Sequence, residues 1–184
     1  TLPWLHAVDP ANLLPKIVTE RGASQSFPIR IQRVTAESLP YDDRSFDFVV
    51  STWTLCTIPD PVKALREVSR VLKPDGRYAF QEMAAGRVAT SYYPLPWATD
   101  PADNFLVSAE EMRSALGESA FTAELFEDTS DLHLSRTTAN ATPAAPGQLG
   151  LAVYVDNLAQ KAGNARRSLQ EGQVRLVRGV FRVK

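Results

Sequence analysis

Three consecutive segments restrict the fold more than anything else in the chain: SFDFVVST (Ser45–Thr52), DPVKALREVSRVL (Asp60–Leu72) and RYAFQEM (Arg77–Met83). The first and third are short apolar runs rich in aromatic and branched residues. The second places Val62, Leu65, Val68, Val71 and Leu72 at helical spacing. Asp60 suits its N-cap, Pro61 its first helical position, and Pro74-Asp75-Gly76 a closing turn. Strand, helix and strand in direct succession predict a parallel crossover, and hence an α/β domain. Ser45–Val50 is apolar enough to be buried on both faces, as parallel strands are.

The flanking segments extend this pattern into one domain over residues 1–184. Leu5–Val8 reads as a strand ending at Asp9-Pro10, and residues 11–22 as a helix with Leu13, Leu14 and Ile17 on one face. Ile29–Val34 alternates as a strand does. Ala84–Asn104 is proline-rich without periodicity and reads as a long functional loop. Ser108 and Glu111 have the spacing of a capping box for the helix AEEMRSALGES. Phe121–Phe126 is predicted as a strand, Asp128–Gly150 as loop, Val153–Gly172 as an amphipathic helix, and Val174–Val183 as a closing strand.

Composition narrows the function classes. The 184 residues carry a net charge of −1, which offers no general attraction to nucleic acid or anionic membrane. The arginines at 166–167 and at 175, 178 and 182 read as solvated faces. No apolar run is long enough for a membrane span. One cysteine, Cys56, excludes an internal disulfide and suits the reducing cytoplasm; it reads as a small buried hydrophobe. His6 and His133 are far apart and have no cysteine near them, so no metal site is expected. Neither G-x-S-x-G nor a P-loop motif occurs, which counts against a serine hydrolase and a P-loop NTPase.

In open α/β sheets ligands bind beyond the carboxyl ends of the strands. Three such ends carry suitable residues. Asp9 could accept two hydrogen bonds from a ribose diol, or cap the helix that follows; both readings stand. Thr35-Ala36-Glu37 could let the backbone approach a flat base, or form an ordinary strand-to-turn transition. Ser51 and Thr52 could hold a polar ligand group with hydroxyls and carbonyls, or simply end a strand.

These residues, taken in order, resemble the class I S-adenosylmethionine-dependent methyltransferases. The run VDP…VTAESLPYDDRSFDFVVSTWTLCTIPDPVKALREVSRVLKPDGRYAFQEM is similar to that family's acid ending the second strand, "AE-x-LPF" turn, "SFD-x-V" strand and "ALRE-x-x-RVLKPGG" helix. YYPLPWATDPADNFLVSAEEMRSAL and FTAELFEDTS resemble the branch near ubiquinone/menaquinone-type and glycine/sarcosine-type methyltransferases.

The resemblance implies a Rossmann-like, mostly parallel sheet with flanking helices. It also implies S-adenosylmethionine as cofactor, methyl transfer to a small molecule, residues 1–83 as the cofactor half and 84–184 as the substrate half. By position, Asp9 would bind the ribose, with Pro10 beside the adenine. Thr35, Ala36 and Glu37 would form the adenine turn, and Ser51 and Thr52 would lie near the methionine part. Thr35 stands where the family often has Asp. Tyr92, Tyr93 and Trp97 would shape the substrate site, or pack as ordinary loop side chains. No catalytic residue is singled out.

The family's first strand and glycine-rich loop have no counterpart before Asp9, so the sequence is expected to be an N-terminally truncated piece. A nonenzymatic α/β binding or scaffold domain is the alternative reading. A nicotinamide-dependent oxidoreductase fits the turn RVLKPDG and the strand after it less well.

Overall fold

A computed structural model describes residues 4–9, 27–89, 92–118, 121–139 and 155–184. Pro10 and the helix expected over residues 11–22 lie outside them. The described strands are β1 (Leu5–Val8), β2 (Ile29–Gln32), β3 (Phe46–Thr52), β4 (Leu72–Ala85), β5 (Phe121–Asp128) and β6 (Val174–Val183). The described helices are α1 (Pro61–Val71), α2 (Ala109–Glu118), α3 (Ser130–Ala139) and α4 (Leu158–Gln170).

β1 and β2 pair in parallel, and the other strands form a sheet ordered β3-β4-β6-β5. β3 and β4 are parallel, while β6 is antiparallel to both β4 and β5. Three of these four strands therefore run the same way, with β6 inserted against them. An aromatic cluster joins the two sheets, with ring centroids of Phe46 lying 5.2 Å from Trp4, 5.6 Å from His6 and 4.8 Å from Tyr41.

The crossover forms where the sequence places it. Asp60 accepts from the Lys63 N–H at 2.9 Å, and Ala64, Leu65, Val68 and Val71 bury one face of α1. Ala64, Leu65 and Val68 pack with Tyr78 and Phe80 of β4, Met112 and Leu116 of α2, and Phe121 and Phe181. On the opposite face a smaller cluster holds Cys56, Met83, Leu169, Val174 and Leu176. Gly179 of β6 is required by this packing, because a Cβ there would stand 2.6 Å from the Phe80 ring. The Ser108–Glu111 capping box also forms: the Ser108 N–H donates to Glu111 at 2.8 Å, and the Glu111 N–H to Ser108 Oγ at 3.2 Å.

Five expectations need correction. β3 is not buried on both faces: Phe48 is 62% and Val50 69% exposed, while Phe46 and Val49 pack against the helix-covered core and Ser51 is half-buried. The Pro74-Asp75-Gly76 turn is absorbed as a bulge in β4, where partners step from Leu72 to Arg77 against Phe46 to Phe48 and Asp75 takes φ 62°. Residues 130–139 form α3 rather than loop, because the Ser130 hydroxyl and the Thr129 backbone anchor its start to Leu176 of β6. β2 stops at Gln32, and α4 begins only at Leu158. Of the arginines of β6 only Arg178 is exposed, while Arg175 and Arg182 are half-buried, and each pairs with an acid: Arg175 with Asp128, Arg178 with Glu127, and Arg182 with Asp75 and Glu124.

The connection from β2 to β3 is held from α1. Arg70 donates to the Leu39 carbonyl at 2.9 Å, the Tyr41 carbonyl at 2.8 Å and Asp43 at 2.8 Å. Glu67 accepts from the Leu39 N–H at 2.8 Å and from Arg70. Hydrogen bonding to Arg70 is the main reason the Glu67 carboxyl sits below its ordinary range. Arg70→Ala leaves two carbonyls and a half-buried carboxylate without their donor, so unfolding stability is expected to fall by about 2 kcal/mol. Arg70→Lys, without the planar fork, should recover less than half of that loss in urea titrations. A loss below about 0.5 kcal/mol, the range of ordinary surface substitutions, would contradict this role.

Candidate functional site

The carboxyl ends of β1 and β2 lie side by side, and the turn after β2 reaches the loop that follows β3. The Asp9 N–H donates to the Gln32 carbonyl at 3.0 Å, so β1 and β2 end together. The turn after β2 is tied to the loop after β3 by Glu37, whose Oε1 accepts from the Asp60 N–H at 3.0 Å. Its other oxygen accepts from the Thr35 hydroxyl at 2.5 Å, and the Glu37 N–H donates to Thr35 Oγ1 at 3.2 Å. Thr35 and Glu37 thus shape the turn with their own side chains and leave Ala36 as its small member. Asp9 is half-buried at the tip of β1.

The end of β3 rests on a residue that sequence reasoning missed. Glu82 of β4 is wholly buried. One carboxylate oxygen accepts from the Ser51 hydroxyl at 2.6 Å, and the other from the Thr54 and Leu55 N–H groups at 2.7 and 3.1 Å. Tyr78 lies 2.6 Å from Ser51 Oγ. Because serine's single proton goes to the carboxylate, the tyrosine is the donor.

Ser51 is therefore engaged on the inner face of β3, and Thr52 is exposed on the other face of the strand. Trp53 then takes φ 56°, with its N–H donating to the Gln81 carbonyl at 2.9 Å, and a short 3-10 helix runs from Leu55 to Thr57. The apolar run stops at Ser51-Thr52 because a buried acid holds the next turn by its backbone. The signal lay in YAFQEM, where Glu82 shares the inward parity of Tyr78 and Phe80.

Burial is the first cause that pushes the Glu82 carboxyl up to about 7, although its three hydrogen-bond donors pull it down. Burial next to Glu82 also drives the Cys56 thiol and Tyr78 phenol upward, so Cys56 is an inert packing residue, as expected.

Beyond the ends of β3 and β4 opens a cavity of about 380 Å³, within the size range of small-molecule sites. Trp53 and Met83 form its floor; Trp97 and Pro96 enter from the proline-rich segment; His133 and Leu134 come from α3, Arg166 and Leu169 from α4. Of the three aromatic residues expected here, only Trp97 lines the cavity. Its Nε1–H donates to Asn104 Oδ1 at 3.0 Å, and Asn104 Nδ2 donates to the Tyr93 hydroxyl at 2.9 Å. Tyr93 thus holds the wall from behind. Tyr92 instead faces α4, donating to Glu171 at 2.7 Å beneath the Arg167 guanidinium. Burial and the Arg166 charge lower the His133 pKa.

Residues 5–80 match the family model described as "Methyltransferase domain". The chain is 50% identical over 50 residues to a methyltransferase of Bacillus subtilis, YcgJ, covering 27% of this chain and 20% of that protein. It is 40% identical over 62 residues to the demethylmenaquinone methyltransferase of Lactobacillus johnsonii, covering 34% and 25%. The matched segments thus span a quarter or less of those two relatives. In structure, the chain is similar to the geranyl diphosphate C-methyltransferase of Streptomyces coelicolor, solved with S-adenosyl-L-homocysteine. The TM-score is 0.72 at 14% identity, over 97% of this chain and 62% of that one. That likeness is one of fold.

Between its ordinary 4.5 and about 7, the folded protein retains on Glu82 a proton that the unfolded chain has released. Its contribution is fully present below the unfolded value and is lost as pH rises through the folded one, by about 3 kcal/mol in total. In urea titrations between about pH 4 and pH 8, wild-type stability should therefore fall by that amount relative to Glu82→Gln, which has no proton to lose. Parallel profiles for the two proteins would refute the assignment.

Proposed function

We propose that the protein is a class I S-adenosylmethionine-dependent methyltransferase, a reading supported by the match of residues 5–80 to the family model described as "Methyltransferase domain", and that it transfers the methyl group of this cofactor to a small-molecule acceptor. One observation supports the reading: Asp9 is tied to Gln32, and Glu37 to Asp60, which joins the ends of β1 and β2 to the loop that follows β3. The residues at those ends fit an adenosyl group in kind. The carboxylate of Asp9 matches the two hydroxyls of a ribose, and Ala36 leaves room for a flat base beside the turn. Thr52 and the backbone at Trp53 adjoin the methionine end. Ser51, whose hydroxyl is engaged by Glu82, contributes by seating those two residues.

Residues 1–83 form the cofactor half in this reading, and residues 84–184 the acceptor half, which supplies Trp97 and the helices around the cavity. When bound, the cofactor supplies an activated methyl on a sulfonium. The protein's task is then alignment and exclusion of water. No described helix is long and apolar enough to cross a membrane, and we place the reaction in the cytoplasm because a chain with Cys56 as its single cysteine suits a reducing compartment.

Calorimetric titration of the intact protein with S-adenosylhomocysteine should give saturable binding at one site. Asp9→Ala should weaken it about tenfold or more, the cost of losing hydrogen bonds to a charged group. Absence of binding, or identical affinity in the variant, would remove the proposal.

A further inference from the structure

The sheet shuts the carboxyl of Glu82 away completely, and its oxygens grip the chain on both sides of Thr52 and Trp53: Ser51 before them, Thr54 and Leu55 after. In the methyl-transfer reading Thr52 and Trp53 adjoin the methionine end of the cofactor. An ionisable group thus lies behind the part of the site where a charge appears and disappears. S-adenosylmethionine carries a fixed positive charge on sulfur, and once the methyl has left that sulfur is neutral. A carboxyl held in a dry interior responds strongly to such a charge, because little water screens it.

The surroundings accommodate both forms of the acid. Oε2 already accepts the Thr54 and Leu55 N–H groups, so a proton on the carboxyl sits on Oε1, which faces Ser51. In the acid form Oε1 donates to Ser51 Oγ, and the Ser51 proton turns to the Tyr78 oxygen. In the ionised form both reverse, with Tyr78 donating to Ser51 and Ser51 to Oε1. The two N–H bonds on Oε2 persist in both, so the turn at Trp53 keeps its shape while the charge behind it changes. Half-buried Ser51 gives the proton its way out to solvent. The titratable groups that act with Glu82 are Tyr78 on the same strand and Cys56 in the loop after β3, both kept protonated by burial. Val177 of β6 pairs with it in the sheet, and no cation among the described residues acts on it. With its carboxyl pushed up to about 7, mainly by burial, Glu82 stands at its midpoint near neutral pH, where a new charge changes its state most.

We propose that Glu82 answers the charge of the cofactor: its carboxyl gives up a proton to solvent when S-adenosylmethionine binds over the end of β3, and recovers one when the methyl has left. The inference rests on the methyl-transfer reading and adds to it a means of telling the methyl donor from the spent cofactor. Glu82 acts here as a positioning residue, through Ser51 and the turn at Trp53, and nothing is oxidised or reduced. The site holds the donor more tightly because an ionised Glu82 offsets its charge, and it loosens on the product because that offset is gone.

The test titrates the intact protein and Glu82→Gln with each cofactor form in calorimetry, in buffers of different ionisation heat, which counts the protons exchanged. Near neutral pH, wild type should release about half a proton more than Glu82→Gln on binding S-adenosylmethionine. With S-adenosylhomocysteine the two proteins should exchange protons alike. From about pH 5 to pH 8 the preference for S-adenosylmethionine should rise about tenfold more in wild type than in the variant, because at low pH the cofactor must displace the Glu82 proton. Should the variant fail to fold or to bind, infrared difference spectra of wild type decide: the band of a protonated carboxyl should shrink with S-adenosylmethionine and not with S-adenosylhomocysteine. Equal proton counts in the two proteins, or an unchanged carboxyl band, overturn the inference while saturable binding leaves the methyl-transfer reading intact. Binding of neither cofactor form removes that reading and the inference together.

Discussion

The carboxylate of Glu82, shut away from solvent under the sheet, determines the shape of the loop after β3. Burying an ionisable acid is costly, and the cost is offset only if its oxygens are satisfied. Here they are satisfied by the Ser51 hydroxyl and by two successive backbone N–H groups, Thr54 and Leu55. A residue in the centre of one strand thereby dictates where its parallel neighbour ends. It also stabilises the left-handed conformation of Trp53, which would otherwise be unfavourable for a bulky side chain. Trp53 is turned by this arrangement into the wall of the cavity.

The strand ends and the cavity draw on different parts of the chain. The strand ends are linked by polar ties between loops: Asp9 to Gln32, Glu37 to Asp60, and the grip of Arg70 and Glu67 on residues 39–43. The cavity is assembled by apolar packing of α3, α4 and the proline-rich segment over Met83 and Trp53. Trp53 belongs to both. The polar ties fix position, while the apolar walls exclude water and select shape. A transfer reaction needs both, because alignment and desolvation act on the same short interval between donor and acceptor.

The cavity depends on β6 more than on its own loops. Inserted antiparallel between β4 and β5, β6 carries Leu176, whose carbonyl accepts from Thr129 and whose N–H donates to the Ser130 hydroxyl, and so anchors α3. Its Val174 and Leu176 also join the apolar cluster with Leu169 of α4. The strand thus seats both helices that contribute the ionisable side chains of the cavity, His133 and Arg166.

The amino-acid sequence alone determined the features governed by neighbours in the chain. These are the α1 crossover with its Asp60 cap, the Ser108–Glu111 capping box, the span of β6, and the acid and small residues placed at strand ends. Each depends on periodicity or on hydrogen bonds a few residues apart, and both are written in local order. α3 escaped notice because SDLHLSRTTA has weak apolar periodicity and is anchored by a strand more than forty residues away. The exposure of Phe48 and Val50 was hidden because an apolar side chain does not record whether anything covers it. The tertiary structure decided the burial of Glu82, the engagement of Ser51, and the meeting of Trp53, Trp97, His133 and Arg166 around one cavity. Those outcomes depend on which strands become neighbours, and desolvation is a property of the packed surroundings rather than of the residue.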